Sequence, residues 1–224
     1  MALDAFLHSG VRPRKGRITA AFCNVAAFTR FDEARPDDSR FVDEDFNRVW
    51  ALGRLNGPGR SAELDRARAL RPFVERATFL LDLHSMHEPC EPLLVTGLLQ
   101  RNIDFAQSLG LGAQVIVDAG HDDGVRMRDF NRLAEPARSE ISLLLEAGQH
   151  WDPSSLQTAR NTPMRFLVAS GVIEGGEVIP HAGALIATDA AEPVLAPYDD
   201  CVLIMPSVKQ LRPGVTTVRL GRRA

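Results

Sequence analysis

The sequence has little of what marks several large classes of protein. Its 224 residues include only three cysteines, Cys23, Cys90 and Cys201, with no CxxC spacing. This argues against a disulfide framework or a cysteine-only zinc site and favours a reducing cytoplasm. No apolar run reaches the ~18–20 residues of a membrane span, and the first ten residues lack the features of a signal peptide. We therefore expect no membrane partner.

The chain also lacks an excess of positive charge. Its formal net charge is −3, and its basic residues are scattered apart from the run at 12–17. This charge gives no sign of nucleic-acid binding. Hydrophobic residues make up 45% and charged residues 25% of the chain. These fractions are ordinary for a globular protein that can bury a sizeable core.

Apolar runs and helical periodicity alternate along the first three quarters of the chain. Helical spacing, with Ser61 as an N-cap, predicts an amphipathic helix at 61–74. A second helical pattern contains Pro163, which predicts a kink or a break. The alternation predicts an α/β fold with a mixed, largely parallel sheet flanked by helices. The other predicted elements are strands at 17–28, 77–85, 113–120 and 140–151 and helices at 102–112 and 154–173.

The composition changes at about residue 175. From there the chain is rich in Gly, Pro and β-branched residues and has no helical period. Short strands and turns are expected. We predict two domains, a catalytic-type α/β domain at 1–174 and a small β-rich domain at 175–224.

Polar side chains follow the two strongest strand patterns. His84 comes after an apolar run and two residues beyond Asp82, so its imidazole could be oriented to bind a metal. Glu146 follows a run of leucines, where partial desolvation suits a carboxylate to general acid/base work. The alternatives are a satisfied polar residue at a strand end for His84 and a surface residue at a loop start for Glu146.

The stretch FVDEDFNRVW at 41–50 crowds charged residues among large apolar ones. Arg40 and Arg48 offer guanidinium groups that can bind a carboxylate through paired hydrogen bonds. Asp45 and Asn47 can hold such arginines in place. The alternative is a helix N-terminus with acids near its positive end.

Together these segments resemble the succinylglutamate desuccinylase/aspartoacylase family of zinc-dependent deacylases, whose fold is related to the zinc carboxypeptidases. RFVDEDFNR resembles the family's Arg-x-x-x-x-Asp-x-Asn-Arg segment. LLDLHS resembles its strand-end zinc histidine, and LLLEAGQ resembles the strand that carries its catalytic glutamate. The motifs occur in the family's order, and the resemblance covers nearly the whole chain.

The resemblance implies a role for each of these residues. His84 would be a zinc ligand and Glu146 the general acid/base that activates a water molecule. Arg40, Asn47 and Arg48 would bind the carboxylate of a small-molecule substrate, with Asp45 supporting them. The reaction implied is hydrolysis of the amide bond of an N-acyl amino acid, with Zn2+ as cofactor.

The sequence departs from the family in its metal ligands. The family supplies two more zinc ligands from an early His-Gly-x-Glu segment, and this chain has no HGxE. His8 is not a substitute, because residues 2–10 resemble the end of the helix that follows that segment. The expected zinc site is therefore incomplete unless His87, Glu88 or His121 replaces the missing ligands. We expect one of two explanations: the first residue of the sequence was assigned too late, or the protein is a truncated relative of the family.

A further substrate arginine is expected shortly before Glu146, with Arg132 and Arg138 as the candidates. Two other functions stay open beside the deacylase. One is a non-catalytic protein that binds small carboxylates, and the other is a carboxypeptidase-like peptide hydrolase. The sequence does not define the oligomeric state, and a homo-oligomer is one of the open states.

Overall fold

The computed structural model describes residues 11–32, 34–111, 113–150, 152–173, 178–179, 182–189, 192–196, 201–204 and 219–222. None of the helices in these segments is long and apolar enough to cross a lipid bilayer. The α-helices are α1 (Val25–Phe28), α2 (Leu52–Asn56), α3 (Ala62–Val74), α4 (Gln100–Ser108) and α5 (Pro153–Ala169). The strands are β1 (Phe79–Met86), β2 (Leu93–Val95), β3 (Gln114–Ile116), β4 (Ile141–Gln149), β5 (Val178–Ile179), β6 (Leu185–Asp189), β7 (Glu192–Leu195), β8 (Cys201–Ile204) and β9 (Arg219–Arg222). Short 3-10 helices lie at Pro36–Ser39, Phe46–Arg48, Met127–Asp129 and Asn131–Ala134.

Strands β1 to β4 form one mixed sheet in the order β1-β4-β2-β3. Two of its three pairings are parallel, β1 with β4 and β2 with β3, while β2 runs antiparallel to β4. This confirms the predicted mixed, largely parallel sheet flanked by helices. The parallel pairing of β1 and β4 brings their carboxyl ends to the same edge of the sheet, where polar residues converge.

The central strand β4 is buried on both faces, since all of its first five residues are buried. Such burial explains the continuous apolar run that marks a strand covered on both sides. On one face Leu80 of β1 packs with α3 and with the aromatic residues Trp50 and Phe130. On the other face Leu143 and Leu145 pack against α4 and α5. The sheet is thus fixed between two apolar layers, which holds its carboxyl edge in place.

The predicted buried strand at 17–28 is wrong. The segment is mostly exposed, only Ala27 is buried, and its last residues form α1. Asn24 begins that helix because its side chain accepts a hydrogen bond from the backbone of Ala27. Arg66 of α3 donates to the carbonyls of Phe22 and Cys23 at 2.5 and 3.0 Å. Those carbonyls therefore bind a side chain instead of a neighbouring strand.

The helix and strand predictions elsewhere are confirmed with shifted bounds. Ser61 caps α3 by accepting a hydrogen bond from Leu64 N at 2.9 Å. Helix α5 continues through Pro163, so a break at this proline is wrong. The third strand is shorter than predicted, since β3 covers only Gln114–Ile116.

Beyond α5, the described residues form only short strands and turns, as the composition predicts. Strands β5, β8 and β9 form one antiparallel sheet, and β6 and β7 form a hairpin. The domain boundary at 174/175 stays a prediction. The predicted end of a helix at residues 2–10 lies outside the described residues.

Candidate active site

His84 and Glu146 lie side by side at the carboxyl ends of two neighbouring strands. They are directly paired in the parallel register of β1 and β4. Because paired residues of adjacent strands project to the same face of a sheet, the imidazole and the carboxylate share one face. Just beyond this pair the register shifts, and Met86 pairs with Gln149. The two residues predicted from separate motifs are therefore brought together by the sheet.

The imidazole of His84 is held by Asp82, two residues earlier on the same strand. Its Nε2 lies 3.0 Å from Oδ2 of Asp82, whose side chain is buried. Burial alone lowers the pKa of His84, but the negative charges of Asp82, Glu146 and Asp45 outweigh it and raise this pKa to about 9. At neutral pH His84 therefore carries a positive charge. The contact with Asp82 fits both interpretations of His84, because it would orient a metal-binding imidazole and it also satisfies a polar residue at a strand end.

Glu146 is the second charged group of the pair. Its Oε2 is buried and accepts no hydrogen bond from the described residues. Burial raises the pKa of Glu146, because the charged form loses contact with water. The positive charge of His84 lowers this pKa, as those of Arg126 and Arg40 do to a smaller extent, and the net shift is upward. The carboxylate thus has the burial and the free oxygen expected of an acid/base group, which favours this interpretation over a surface residue.

The segment 41–50 is anchored by its large apolar residues. Phe46, Val49 and Trp50 are buried, and Trp50 makes edge-to-face contacts with Phe46 and Phe130 at 5.7 and 5.5 Å between ring centroids. Val49 forms a parallel bridge with Val125. The apolar residues thus anchor the segment to the core and hold the polar residues that alternate with them in fixed positions.

The first two acids of the segment bind the start of α3. Asp43 Oδ2 accepts a hydrogen bond from Ala62 N at 2.7 Å. Glu44 accepts one from the hydroxyl of Ser61 at 2.6 Å and forms an ion pair with Arg54 at 2.7 Å. These two acids therefore support a helix N-terminus, as the alternative interpretation of the segment proposes.

The remaining polar residues of the segment include two whose charges act on the pair at the sheet edge, Asp45 on His84 and Arg40 on Glu146. Arg40 forms an ion pair with Asp45 at 2.7 Å and stays about half exposed. Asp45 also accepts a hydrogen bond from Asn47 N at 2.8 Å, while Asn47 Oδ1 accepts one from Met127 N at 3.1 Å. Arg48 donates to the carbonyl of Asn47. Asp45 therefore holds Arg40, and Asn47 joins the segment to residues 124–127.

The contact between these two segments requires a glycine. Gly124 has φ +150°, and a Cβ placed on it would overlap the carbonyl oxygen of Arg48. We expect Gly124→Ala to lower the free energy of unfolding by about 2 kcal/mol, because the overlap is with backbone and cannot relax by a rotamer change. Urea unfolding followed by tryptophan fluorescence measures this.

The matched control for this substitution is Gly53→Ala in α2. A Cβ there meets nothing within 4 Å, and alanine favours a helix by up to about 1 kcal/mol. Equal stabilities of the two variants would contradict the proposed close approach of Gly124 to Arg48.

Two buried arginines, which the sequence motifs did not indicate, lie beneath the site. Arg126 is buried and forms ion pairs with Asp118 at 2.8 Å and with Asp129 at 3.0 Å. Arg128 is 2% exposed and lies 2.7 Å from Asp129. Its Nη1 would lie only 2.5 Å from a Cβ on Gly97, whose φ is +69°. The positive charge of Arg126 lowers the pKa of Glu146, and the negative charge of Asp82 raises the pKa of Arg128. Both arginines therefore interact electrostatically with residues of the site.

Arg132 and Arg138, the candidates for a further substrate arginine, lie elsewhere. Both pair with Glu140, at 3.2 and 3.3 Å. Glu140 immediately precedes β4, so it is separated from Glu146 by six residues, or about 20 Å along the strand. These contacts place Arg132 and Arg138 at the start of β4, whereas the charges of Arg126 and Arg40 act on Glu146. Which arginine binds substrate stays a prediction.

The described residues do not supply a complete set of ligands for a catalytic zinc ion. Such an ion usually takes three protein ligands, and the described residues hold no group of three or more His, Cys, Asp or Glu side chains placed to bind a metal. The replacement ligands considered from sequence do not change this. His121 pairs with Asp123 at 3.5 Å on the surface, and His87 packs against His150. Glu88 is exposed.

Comparison with known proteins gives structural matches alone. No family model matches the sequence, and no curated protein matches it. A succinylglutamate desuccinylase from Vibrio parahaemolyticus matches with 16% identity and a TM-score of 0.41, over 84% of this chain and 67% of that one. A succinylglutamate desuccinylase/aspartoacylase from Rhodobacter sphaeroides matches with 14% identity and a TM-score of 0.47, over 75% and 64%.

A third match is the ectoine utilization protein EutE (DoeB) from Ruegeria pomeroyi, with 14% identity and a TM-score of 0.44, over 72% of this chain and 62% of that one. This chain therefore spans about two thirds of the length of the solved structures it matches. In its backbone, the chain is similar to members of the succinylglutamate desuccinylase/aspartoacylase family, the family that its sequence motifs resemble.

Proposed function

We propose that this protein is a hydrolase that cleaves the amide bond of an N-acyl amino acid or a similar small carboxylate. One observation carries the proposal. Glu146, with a buried free oxygen, is paired with a positively charged His84 at the edge of the sheet. Polar residues at the carboxyl ends of strands in such sheets are the usual place of ligands.

The chemistry follows from the charges of the two side chains. A carboxylate with a raised pKa accepts a proton from an attacking water molecule and returns it to the leaving nitrogen more readily than an ordinary surface carboxylate. The cationic His84 next to it favours the negative charge that develops on the carbonyl oxygen. Asp82 holds the imidazole in one orientation through its contact with Nε2.

The substrate carboxylate would be bound by the arginines of the segment at 40–48. Arg40 is about half exposed and keeps its position through Asp45. Arg48 is anchored by the buried Val49 and Trp50 that follow it. Guanidinium groups bind carboxylates with two parallel hydrogen bonds. The negative charge of Glu146 disfavours a second carboxylate beside it, so the substrate would place its carboxylate at the arginines and its amide at the acid/base group.

Zinc is the cofactor that the family resemblance implies, with His84 as its ligand, and the imidazole would have to lose its proton to bind it. The described residues supply no set of three ligands, so no step above is derived through a metal. Zinc binding stays a proposal that metal analysis of the purified chain tests. We also propose a reducing cytoplasm as the compartment, since Cys23 and Cys90 are free thiols.

The proposed activity is tested with a panel of amides, each incubated with the purified chain with and without added zinc. The panel contains N-succinyl-glutamate, N-acetyl-aspartate and a dipeptide, and the measurement is the amine released. Release from an acyl-amino acid, and not from the dipeptide, supports the proposal. Release from the dipeptide alone favours the carboxypeptidase-like alternative, and no release from any amide in either condition contradicts the proposed hydrolase.

A second candidate function is binding of small carboxylates without catalysis. It is favoured by the contrast between the arginine segment, where Asp45 holds Arg40, and the incomplete set of metal ligands among the described residues. Calorimetry with succinate in the presence of a chelator should then show binding that weakens at least about tenfold in Arg48→Ala, because a charged hydrogen bond is worth about 1.5–3 kcal/mol.

The matched control is Arg35→Ala, which removes an exposed arginine that pairs with Asp32 and Asp38. This variant should bind succinate as the wild-type chain does. Absence of any heat of binding to the wild-type chain would count against this second function.

A further inference from the structure

A second polar cluster lies on β1 next to the site described above. Ser85 follows His84 on this strand. The register with β4 shifts at Ser85, and the contacts of the two side chains differ, since His84 lies against Asp82 and Ser85 against His150. The cluster consists of Ser85, His87 and His150, and the proposed amide hydrolysis uses none of these residues.

Ser85 and His150 make a short contact. Ser85 Oγ lies 2.7 Å from His150 Nδ1. His150 directly follows β4, and its backbone N–H donates to the carbonyl of Met86 at 2.9 Å, which fixes it against the end of β1. The ring of His87 packs edge-on against that of His150, with 4.6 Å between centroids. A hydroxyl within hydrogen-bond reach of an imidazole whose position is fixed is the geometry of a nucleophile and its general base.

Ser85 can be reached by a small molecule. Ser85 and His150 are partly exposed, and His87 is exposed. Leu83, two residues before Ser85 on β1, is 38% exposed. An apolar acyl group would contact Leu83 while its carbonyl lies at Ser85. The cluster therefore favours a short apolar ester over a charged substrate.

The cluster also lies near the positive end of a long helix. Helix α5 has 17 residues and begins at Pro153, three residues after His150. A Cβ on Gly148 would lie 3.5 Å from Cβ of Ser155, so the first turn of α5 packs against the end of β4. The N-terminal end of a helix favours negative charge. Asp152 caps this end by accepting a hydrogen bond from Ser154 N at 2.8 Å, and the part of the helix dipole that it leaves uncompensated would favour the oxyanion that forms when a carbonyl is attacked.

We propose that Ser85 is a nucleophile, with His150 as its general base, that is acylated by small apolar esters. Ser85 Oγ forms a bond to the acyl carbon while its proton passes to His150 Nδ1. The bond from the acyl carbon to the alcohol oxygen breaks, and His150 gives the proton to the departing alcohol. Water then attacks the acyl-serine, its proton moves through His150 to Ser85 Oγ, and a carboxylic acid leaves.

The test uses a fluorophosphonate probe, which phosphonylates serine nucleophiles, and peptide mass spectrometry on the purified full chain. We expect one label per chain, located on Ser85, and none in Ser85→Ala. In His150→Gln the labelling rate should fall at least about 100-fold, because a general base contributes about 10²–10⁴-fold. Ser108→Ala is the matched control, because the exposed hydroxyl of Ser108 donates to Phe105 O within α4 and makes no hydrogen bond to a histidine among the described residues. This variant should be labelled on Ser85 at the wild-type rate.

Two results would overturn the proposal. One is a wild-type chain that carries no label on Ser85. The other is a folded His150→Gln chain, verified by circular dichroism, that is labelled on Ser85 at the wild-type rate. The first result is decisive even where His150→Gln does not fold. Because neither readout involves Glu146 or an amide, the outcome is independent of the proposed amide hydrolysis.

Discussion

Replacing Glu63 with glutamine is expected to lower the free energy of unfolding by about 3 kcal/mol. Glu63 lies in the first turn of α3 and is completely buried. Its carboxylate accepts hydrogen bonds from three consecutive backbone N–H groups, those of Val42, Asp43 and Glu44, at 2.6, 3.1 and 3.3 Å. Glutamine would turn an NH2 group toward these donors, so at least one N–H that points at the buried side chain would lose its acceptor.

The loss would reach the candidate site because the three bound residues directly precede Asp45. Without Glu63, the segment at 42–44 keeps only its contacts with Ser61, Ala62 and Arg54. Chemical denaturation measures the change in stability. The matched control is Glu75→Gln at the other end of α3, where Glu75 is about a third exposed and pairs with Arg71 at 2.7 Å.

A surface pair of this kind contributes at most about 1 kcal/mol, so the Glu75→Gln variant should differ little from the wild-type chain. Equal losses of stability in Glu63→Gln and Glu75→Gln would show that the buried carboxylate does not organise the segment.

The pH dependence of stability offers a second measurement of Glu63. Burial by itself raises the pKa of Glu63, but the hydrogen bonds from Val42, Asn24 and Asp43 outweigh it and hold the pKa below its ordinary value of 4.5. A carboxyl whose pKa is lower in the folded state contributes stability above its unfolded pKa and loses it as the pH falls through the folded pKa. The wild-type chain should therefore lose more stability below pH 4.5 than Glu63→Gln does.

The parts of the fold that were predicted correctly are those whose patterns are local. β4 is recognisable because a strand buried on both faces must be apolar throughout. The cap of α3 is recognisable because Ser61 needs only its own backbone neighbours. The strand end at His84 is recognisable because polar residues abruptly follow an apolar run. In each case the sequence and the short-range physics point to the same structure.

The parts that were missed depend on contacts between distant segments. The run at 17–28 is apolar enough for a strand, yet Arg66, some 40 residues later, binds its carbonyls instead. β2 has only three residues, too few for periodicity to show. Length and apolarity alone therefore do not decide whether a segment finds a neighbouring strand.

The candidate site shows the same division. His84 and Glu146 were predicted from their strand ends, and the parallel register then pairs them. Arg126 and Arg128 were not predicted, because they lie outside the strands and α-helices, where no helical or strand periodicity indicates burial. Asp129 pairs with both arginines, Asp118 pairs with Arg126, and Gly97 has no side chain to obstruct Arg128, which together allow their burial. One signal was present, since arginines alternate with apolar residues in GVRMRDF.

Replacing Glu146 with glutamine is expected to lower kcat for amide hydrolysis by about 10²–10⁴-fold while changing KM little. Glutamine has the shape of glutamate but cannot take a proton from water, and the substrate carboxylate is bound by arginines on a different segment. The measurement is initial rate against concentration for the best amide of the panel. Glu91→Gln is the matched control, because Glu91 is exposed in the loop before β2, and its kcat should equal that of the wild-type chain.

Stability separates lost chemistry from lost folding in this variant. Glu146 Oε2 is a buried oxygen without a hydrogen-bond donor among the described residues, and burial raises the pKa of Glu146. The raised pKa means that burial costs the charged carboxylate more than the nearby positive charges recover, so a neutral glutamine should leave the chain as stable as the wild type or more stable. A variant that is inactive and at least as stable identifies Glu146 as the acid/base group. A variant that keeps the wild-type kcat would assign the proton transfer to another residue.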